Sequence, residues 1–152
     1  MNKLAFRLAN KEDLLQILCM IADDPLGNKR ERFEIPLPDY YNKAFEKIKE
    51  NSDHELTVVL MDNEIVGTFQ LTFLQYLTYK GGLRCQIEAV RVKSELRGTG
   101  IGKKMIEYIL DRSRKKGCHM VQLTTDATRP DALKFYKAMG FKPSHIGLKF
   151  HL

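Results

Sequence analysis

The chain has 152 residues, 43% of them hydrophobic and 29% charged, with a net charge of +6; this suits one domain, residues 1–152, with a core of its own and is too short for two comfortable ones. No apolar run approaches the roughly 20 residues of a membrane-spanning helix, and Lys3 and Arg7 interrupt the N-terminus too early for a secretory leader, so a cytoplasmic protein with no membrane partner is expected. Residues 1–76 carry 9 Lys/Arg against 13 Asp/Glu, net −4, and residues 77–152 carry 16 against 6, net +10, which suits an anionic ligand or nucleic acid on the C-terminal half.

Residues 4–8 read as a first strand. Asn10 is a good helix N-cap, with Glu12 and Asp13 in the first turn. Leu14, Leu15, Ile17, Leu18 and Ile21 then repeat at helical period until Asp23-Asp24-Pro25-Leu26-Gly27 stops the helix. Residues 24–38 form a long charged loop, and Pro38 opens a second helix with Tyr41, Ala44, Phe45 and Ile48 inward. Residues 55–61 and 65–74 are strands joined as a hairpin at Asp62-Asn63. A longer aromatic turn, Tyr76 to Gly82, leads to a strand over residues 83–92. From Ile101 the apolar positions Met105, Tyr108 and Ile109 mark an amphipathic helix that Lys115-Lys116-Gly117 closes. Residues 119–124 form another strand. Pro130 opens a short helix that Gly140 stops, and residues 141–152 read as one or two closing strands. The predicted order is βααββ-β-α-β-α-β(β): an α/β domain with a mixed, mostly antiparallel sheet of six or seven strands and four helices. Cys19, Cys85 and Cys118 are odd in number and widely spaced. They predict neither a disulfide framework nor a zinc site, but small buried thiols and no metal.

The most informative stretch is Arg97-Gly98-Thr99-Gly100-Ile101-Gly102-Lys103, between a strand and the strongest helix. Glycines admit positive φ and close backbone approach. A helix opening there presents unpaired N–H groups and the positive end of its dipole, a geometry that binds phosphate. The P-loop is excluded, because Gly102 is followed by Lys103-Lys104 and the glycine spacing differs. The dinucleotide fingerprint is excluded because its third glycine position is Lys103 or Met105, depending on the start.

What fits is R-x-x-G-x-G, followed about thirty residues on by Ala132-Leu133-Lys134-Phe135-Tyr136-Lys137-Ala138-Met139-Gly140-Phe141. Together these segments resemble the GNAT family of N-acetyltransferases, closely over residues 87–141. The resemblance implies acetyl-CoA as cosubstrate and transfer of its acetyl group to a primary amine. It places the cofactor pyrophosphate on Arg97, Gly98, Thr99, Gly100, Ile101, Gly102 and Lys103. The pantetheine arm falls to the backbone of Val90, Arg91 and Val92. Arg129 stands where the family often has Asn facing the cofactor arm. The family is often dimeric, which makes a homodimer an expectation.

Amine acetylation needs a neutral amine, a polarised carbonyl and a protonated leaving thiolate. By the resemblance, Tyr136 is the candidate acid and also a cofactor contact; a phenol with a pKa near 10 carries its proton at pH 7. Glu88 is the candidate base, acting through water, or else a strand carboxylate paired with Arg84, Arg91 or another cation; the N–H of Val90 is the candidate oxyanion donor. His119 and His145 are further possible bases, though a lone histidine is more often structural. Arg30, Arg32, Tyr40, Tyr41, Tyr76 and Tyr79 lie on the segments that should build the acceptor site, and suggest a small amine bearing a negative group. The rival readings are a CoA-binding regulator or sensor, and a transcription-associated nucleic-acid-binding protein. No basic recognition helix supports the latter, so nucleic acid is not the expected partner.

Overall fold

The computed structural model describes residues 3–152. The fold is α/β, a mixed five-stranded sheet accompanied by six helices. In chain order these are β1 (Leu4–Leu8), α1 (Leu14–Ala22), α2 (Gly27–Arg30), α3 (Asp39–Glu50), β2 (His54–Met61), β3 (Glu64–Gln75), α4 (Thr78–Gly81), β4 (Leu83–Val92), α5 (Ile101–Lys115), β5 (Met120–Leu123) and α6 (Pro130–Ala138). The sheet order is β1-β2-β3-β4-β5, and the β1–β2, β2–β3 and β3–β4 pairs are antiparallel. Two compact units are distinguishable, one ending at Gln122 and one formed by Leu123–Leu152.

Alternation along the strands divides the first unit into two cores. Leu14, Ile17 and Leu18 of α1 and Phe45 of α3 gather with Val58 and Leu56 on one face of the sheet. On the other face, Met105 of α5 lies against Gly67, and Tyr108 stacks on Phe6 with centroids 4.1 Å apart. Phe69, Leu71, Met105, Ile106 and Ile109 are fully buried, each side chain stabilising the fold by about 1.5–3 kcal/mol. The predicted amphipathic period of α5 is therefore the burial period. Asn10 sits at the N-cap position expected of it, though without a hydrogen bond from its own side chain, and its N–H donates to Asp13 Oδ2 at 2.7 Å. Asp13 in turn accepts both guanidinium nitrogens of Arg7, at 2.6 and 2.9 Å, which ties the start of α1 to β1.

Three expectations need correction. The strand count is five, not six or seven, because residues 141–152 adopt no strand. Pro143 lacks a ladder donor and Gly147 weakens strand order. The helix count is six rather than four, because the charged loop contains the single turn α2 and the aromatic turn contains α4. Cys19 is exposed, on the outer side of α1; only Cys85 is buried and Cys118 is intermediate. Burial pushes the Cys85 thiol up to about 11, so it stays protonated and unreactive at neutral pH.

Candidate active site

β4 organises the site. Its register with β3 jumps from Gln70↔Glu88 to Thr68↔Arg91, so Ala89 and Val90 together oppose Phe69. This is a β-bulge. Ala89 carries it at φ 53°, a left-handed conformation that costs an alanine about 1–2 kcal/mol. The extra residue shifts the alternation. Glu88 and Arg91, three apart, come to the same face as their partners Gln70 and Thr68.

Beyond the bulge the chain enters the glycine turn. Gly98 (φ 79°) and Gly100 (φ 90°) are left-handed, and a Cβ on either would meet nothing within 4 Å. Glycine is thus required by backbone conformation and leaves open space above the turn. Gly102, by contrast, lies within the first turn of α5. No side chain caps α5, so its first N–H groups have no intrahelical partner and face outward with the dipole. The turn is braced from below: Thr99 Oγ1 donates to the Leu96 carbonyl (2.7 Å), and Arg97 Nε donates to the Val92 carbonyl (3.3 Å). An open hollow of about 240 Å³ lies against the turn, with Leu4, Met61, Leu96 and Ile101 among its walls. Lys103 and Lys104 extend from the first helical turn, Lys103 near Glu107 at 4.0 Å.

The end of α1 meets this region through two carboxylates. Buried Asp24 accepts the Gly27 N–H (3.2 Å) and pairs with Arg91 at 3.5 Å. Exposed Asp23 stands 4.0 Å from Arg97, a weak and salt-sensitive contact. Glu88 differs from both. It is exposed and accepts from Gln86 Nε2 at 3.1 Å, but among the described residues no cation lies within ion-pair distance of it. The ion-paired alternative for this strand carboxylate is therefore not realised among the described residues.

The model of the acetyltransferase (GNAT) family matches residues 20–141. The chain belongs to the GNAT acetyltransferases. It is 28% identical over 89 residues to an aminoalkylphosphonate N-acetyltransferase of Salmonella typhimurium, a match covering 59% of this chain and 57% of that protein. The chain spans about half the length of the curated relatives it matches. A crystal structure from Bacillus halodurans C-125, described as a transcriptional regulator, is 50% identical with a TM-score of 0.95 over 99% of this chain and 100% of that one. A predicted acetyltransferase with acetyl-CoA from Clostridium acetobutylicum shares the fold, with a TM-score of 0.74 at 19% identity, over 98% of this chain and 96% of that one.

For this GNAT chain the first unit brings together Glu88, the Val90-Arg91-Val92 strand end and the turn from Arg97 to Lys103. Arg129 and Tyr136 belong to the second unit. Arg129 is the N-cap residue of α6. The Tyr136 ring meets Phe135 and Phe141 edge-on, at 5.2 and 5.7 Å, and its carbonyl accepts the Phe141 N–H at 3.0 Å. The F-Y-x-x-x-G-F motif is thus a local closure around Gly140, whose φ is 92°.

Among the expected acceptor residues, Arg30 is paired with Glu31 at 2.6 Å and Arg32 with Glu34 at 2.9 Å. The Tyr41 hydroxyl donates to Glu31 at 3.0 Å. These groups neutralise one another within their own loop. Sequence reasoning missed Arg84, which stands between Tyr76 and Tyr79. A signal was available: no acid occurs between Glu64 and Glu88. It also missed the helix-end carboxylates Asp23 and Asp24.

Proposed function

We propose that the chain is an acetyl-CoA-dependent N-acetyltransferase acting on the primary amine of a small molecule that carries an anionic group. The observation that carries this reading is the sequence of features along one strand: an unpaired carboxylate at Glu88, a bulge at Ala89, and an uncapped glycine turn directly beyond. The open left-handed glycines fit a pyrophosphate, because they let backbone N–H groups approach an anion without side-chain interference. Acetyl-CoA supplies an activated acetyl thioester. The turn from Arg97 to Lys103 binds its phosphates. The backbone of Val90, Arg91 and Val92 aligns the arm as an added strand, the bulge freeing polar groups from the regular ladder. Glu88 accepts the ammonium proton through water, which leaves a neutral amine. The Val90 N–H stabilises the oxyanion as the new C–N bond forms. As the C–S bond breaks, a proton returns to the thiolate; we assign that donor to Tyr136 on the strength of its place in the family motif. Arg129, beside Pro130, is assigned to the cofactor.

The Salmonella relative's aminoalkylphosphonate substrate supports an amine bearing an anionic group. Absence of any disulfide among Cys19, Cys85 and Cys118 supports a reducing compartment such as the cytoplasm.

Thermal stabilisation by acetyl-CoA, followed by thiol release across an amine library, tests the proposal. Stabilisation and release with at least one amine are expected. The description of the Bacillus halodurans protein as a transcriptional regulator favours one second reading, a regulator without turnover. Salt-sensitive DNA binding, with no thiol released by any amine, would replace the first reading by the second.

A further inference from the structure

At the other end of β4 from the glycine turn, Arg84 has an environment unlike that of any loop arginine. Its guanidinium carbon lies 4.5 Å from the Tyr76 ring centroid and 5.1 Å from that of Tyr79. Tyr79 in turn stacks on His119, centroids 5.0 Å apart. His119 is fixed through Nδ1, 2.9 Å from the Leu83 carbonyl; a carbonyl only accepts, so this nitrogen carries hydrogen. Gly82 is needed beneath it, because any Cβ there would overlap the imidazole. Tyr79 and Lys80 are both held left-handed, at φ 54° and 58°. Consecutive non-glycine residues in that region store strain, which tends to collect where a ligand is clamped. Gln75 Nε2 secures the turn by donating to the Gly81 carbonyl at 2.7 Å.

This scaffold orders the guanidinium without saturating it. Arg84 Nε is buried with no hydrogen-bond acceptor. Nη2 reaches only Thr78 Oγ1, at 3.5 Å, and no carboxylate among the described residues pairs with it. The two rings favour the positive charge by cation–π attraction, but they take up none of the five N–H donors. The buried Nε lies out of reach of a ligand, so an arriving anion would be met by the Nη groups of the planar guanidinium.

Arg84 and Glu88 lie on the same face of β4, with Gln86 between them. Gln86 donates to Glu88 and accepts from Gln122 at 2.9 Å. Its register partner Thr72 contacts His54 at 3.3 Å. The track between the two ends is thus lined by neutral hydrogen-bonding groups. Four residues of strand span about 13–14 Å. The track therefore calls for an amine and an anion separated by a distance on the order of 10 Å.

We propose that Arg84, clamped by Tyr76 and Tyr79, receives the anionic end of the acceptor, and that its distance from Glu88 selects acceptors by length. The ligand class is an extended primary amine ending in a carboxylate, phosphate or phosphonate. This rests on the acetyltransferase reading and deepens it.

The test compares β-alanine, 8-aminooctanoate and octylamine as acceptors with acetyl-CoA, read by thiol release. Calorimetry of 8-aminooctanoate binding runs in parallel. Wild-type protein should prefer 8-aminooctanoate over both others by at least tenfold in kcat/KM. Arg84→Gln should reduce the ratio of 8-aminooctanoate to octylamine at least tenfold, whereas a merely structural role would lower both and leave the ratio intact. Arg84→Lys, which keeps charge and stem, should fall between. Equal use of octylamine and 8-aminooctanoate by the wild type, or an unchanged ratio in Arg84→Gln, overturns the proposal. If no amine releases thiol, the acetyltransferase reading fails. Calorimetry then decides Arg84 alone: binding lost in Arg84→Gln supports the anion site, and equal or absent binding rejects it.

Discussion

On the proposed reading, the two ends of β4 bind anions by different means. At its C-terminal end the donors are backbone N–H groups, exposed by left-handed Gly98 and Gly100 and by the uncapped start of α5. At its N-terminal end the donor is one side chain, Arg84, oriented by two tyrosines. Backbone donors have fixed spacing and suit an invariant group such as a pyrophosphate. A side-chain donor is repositioned by a few substitutions in a hairpin and suits a group that differs among acceptors. Glu88 lies between them, next to the bulge, where neither binding end needs its charge. On that reading the difference teaches that one strand can keep the recognition of cosubstrate and of acceptor on physically separate donors.

The largest effect should come from the chemistry between the two ends. Glu88→Gln should lower kcat about 100-fold and abolish the acidic limb of the pH–rate profile; a variant that keeps that limb has lost no base. Tyr136→Phe should lower kcat at least tenfold with acetyl-CoA affinity little changed, measured by steady-state kinetics beside equilibrium binding. An unaltered kcat would remove Tyr136 from the reaction.

The next effect separates the ends themselves. Gly100→Val forces a β-branched residue to φ 90°, at a cost of about 1–2 kcal/mol. It should weaken acetyl-CoA binding and lower Tm, while calorimetric binding of 8-aminooctanoate at the far end persists. Parallel loss of both ligands would mean the ends are not independent.

The smallest effect concerns the frame that brings Asp23 and Asp24 to the glycine-turn end. The hydrogen bonds from Arg7, opposed by burial, hold the Asp13 carboxyl below its ordinary value. A depressed folded-state pKa stabilises the fold above the unfolded value, near 3.9, and that contribution is lost as pH falls through the lower folded value. Asp13→Asn should therefore lower Tm at pH 7 and flatten its decline below about pH 4. A wild-type decline of the same shape in the variant would show that Asp13 is not its source.

Period and punctuation made most of the scaffold legible. β1, β4 and α5 have the predicted limits, since strand alternation, helical spacing and a glycine stop are local properties. The glycine turn was legible for the same reason: left-handed backbone asks for glycine wherever the chain goes next. The closing strands were not, because residues 141–152 alternate as a strand does while Pro143 and Gly147 work against pairing. The pairing of Arg30 and Arg32 was not legible. In sequence they are cations on a loop; in space Glu31 and Glu34 neutralise them. Arg84 looked like an ordinary strand arginine that Glu88 could pair with, and only the fold shows it taken by Tyr76 and Tyr79.

By itself the sequence determined the order of the longer elements from β1 to α6, the amphipathic α5 and the left-handed glycine turn, because each follows from backbone preference and apolar spacing within a dozen residues. Tertiary structure decided which charges remain available. The bulge at Ala89 sets Arg91 on the face of Asp24, the hairpin holds Arg84 between two rings, and Glu88 is left without a cation among the described residues. Charge pairing depends on distances between strands and loops far apart in the chain, and no local pattern encodes them.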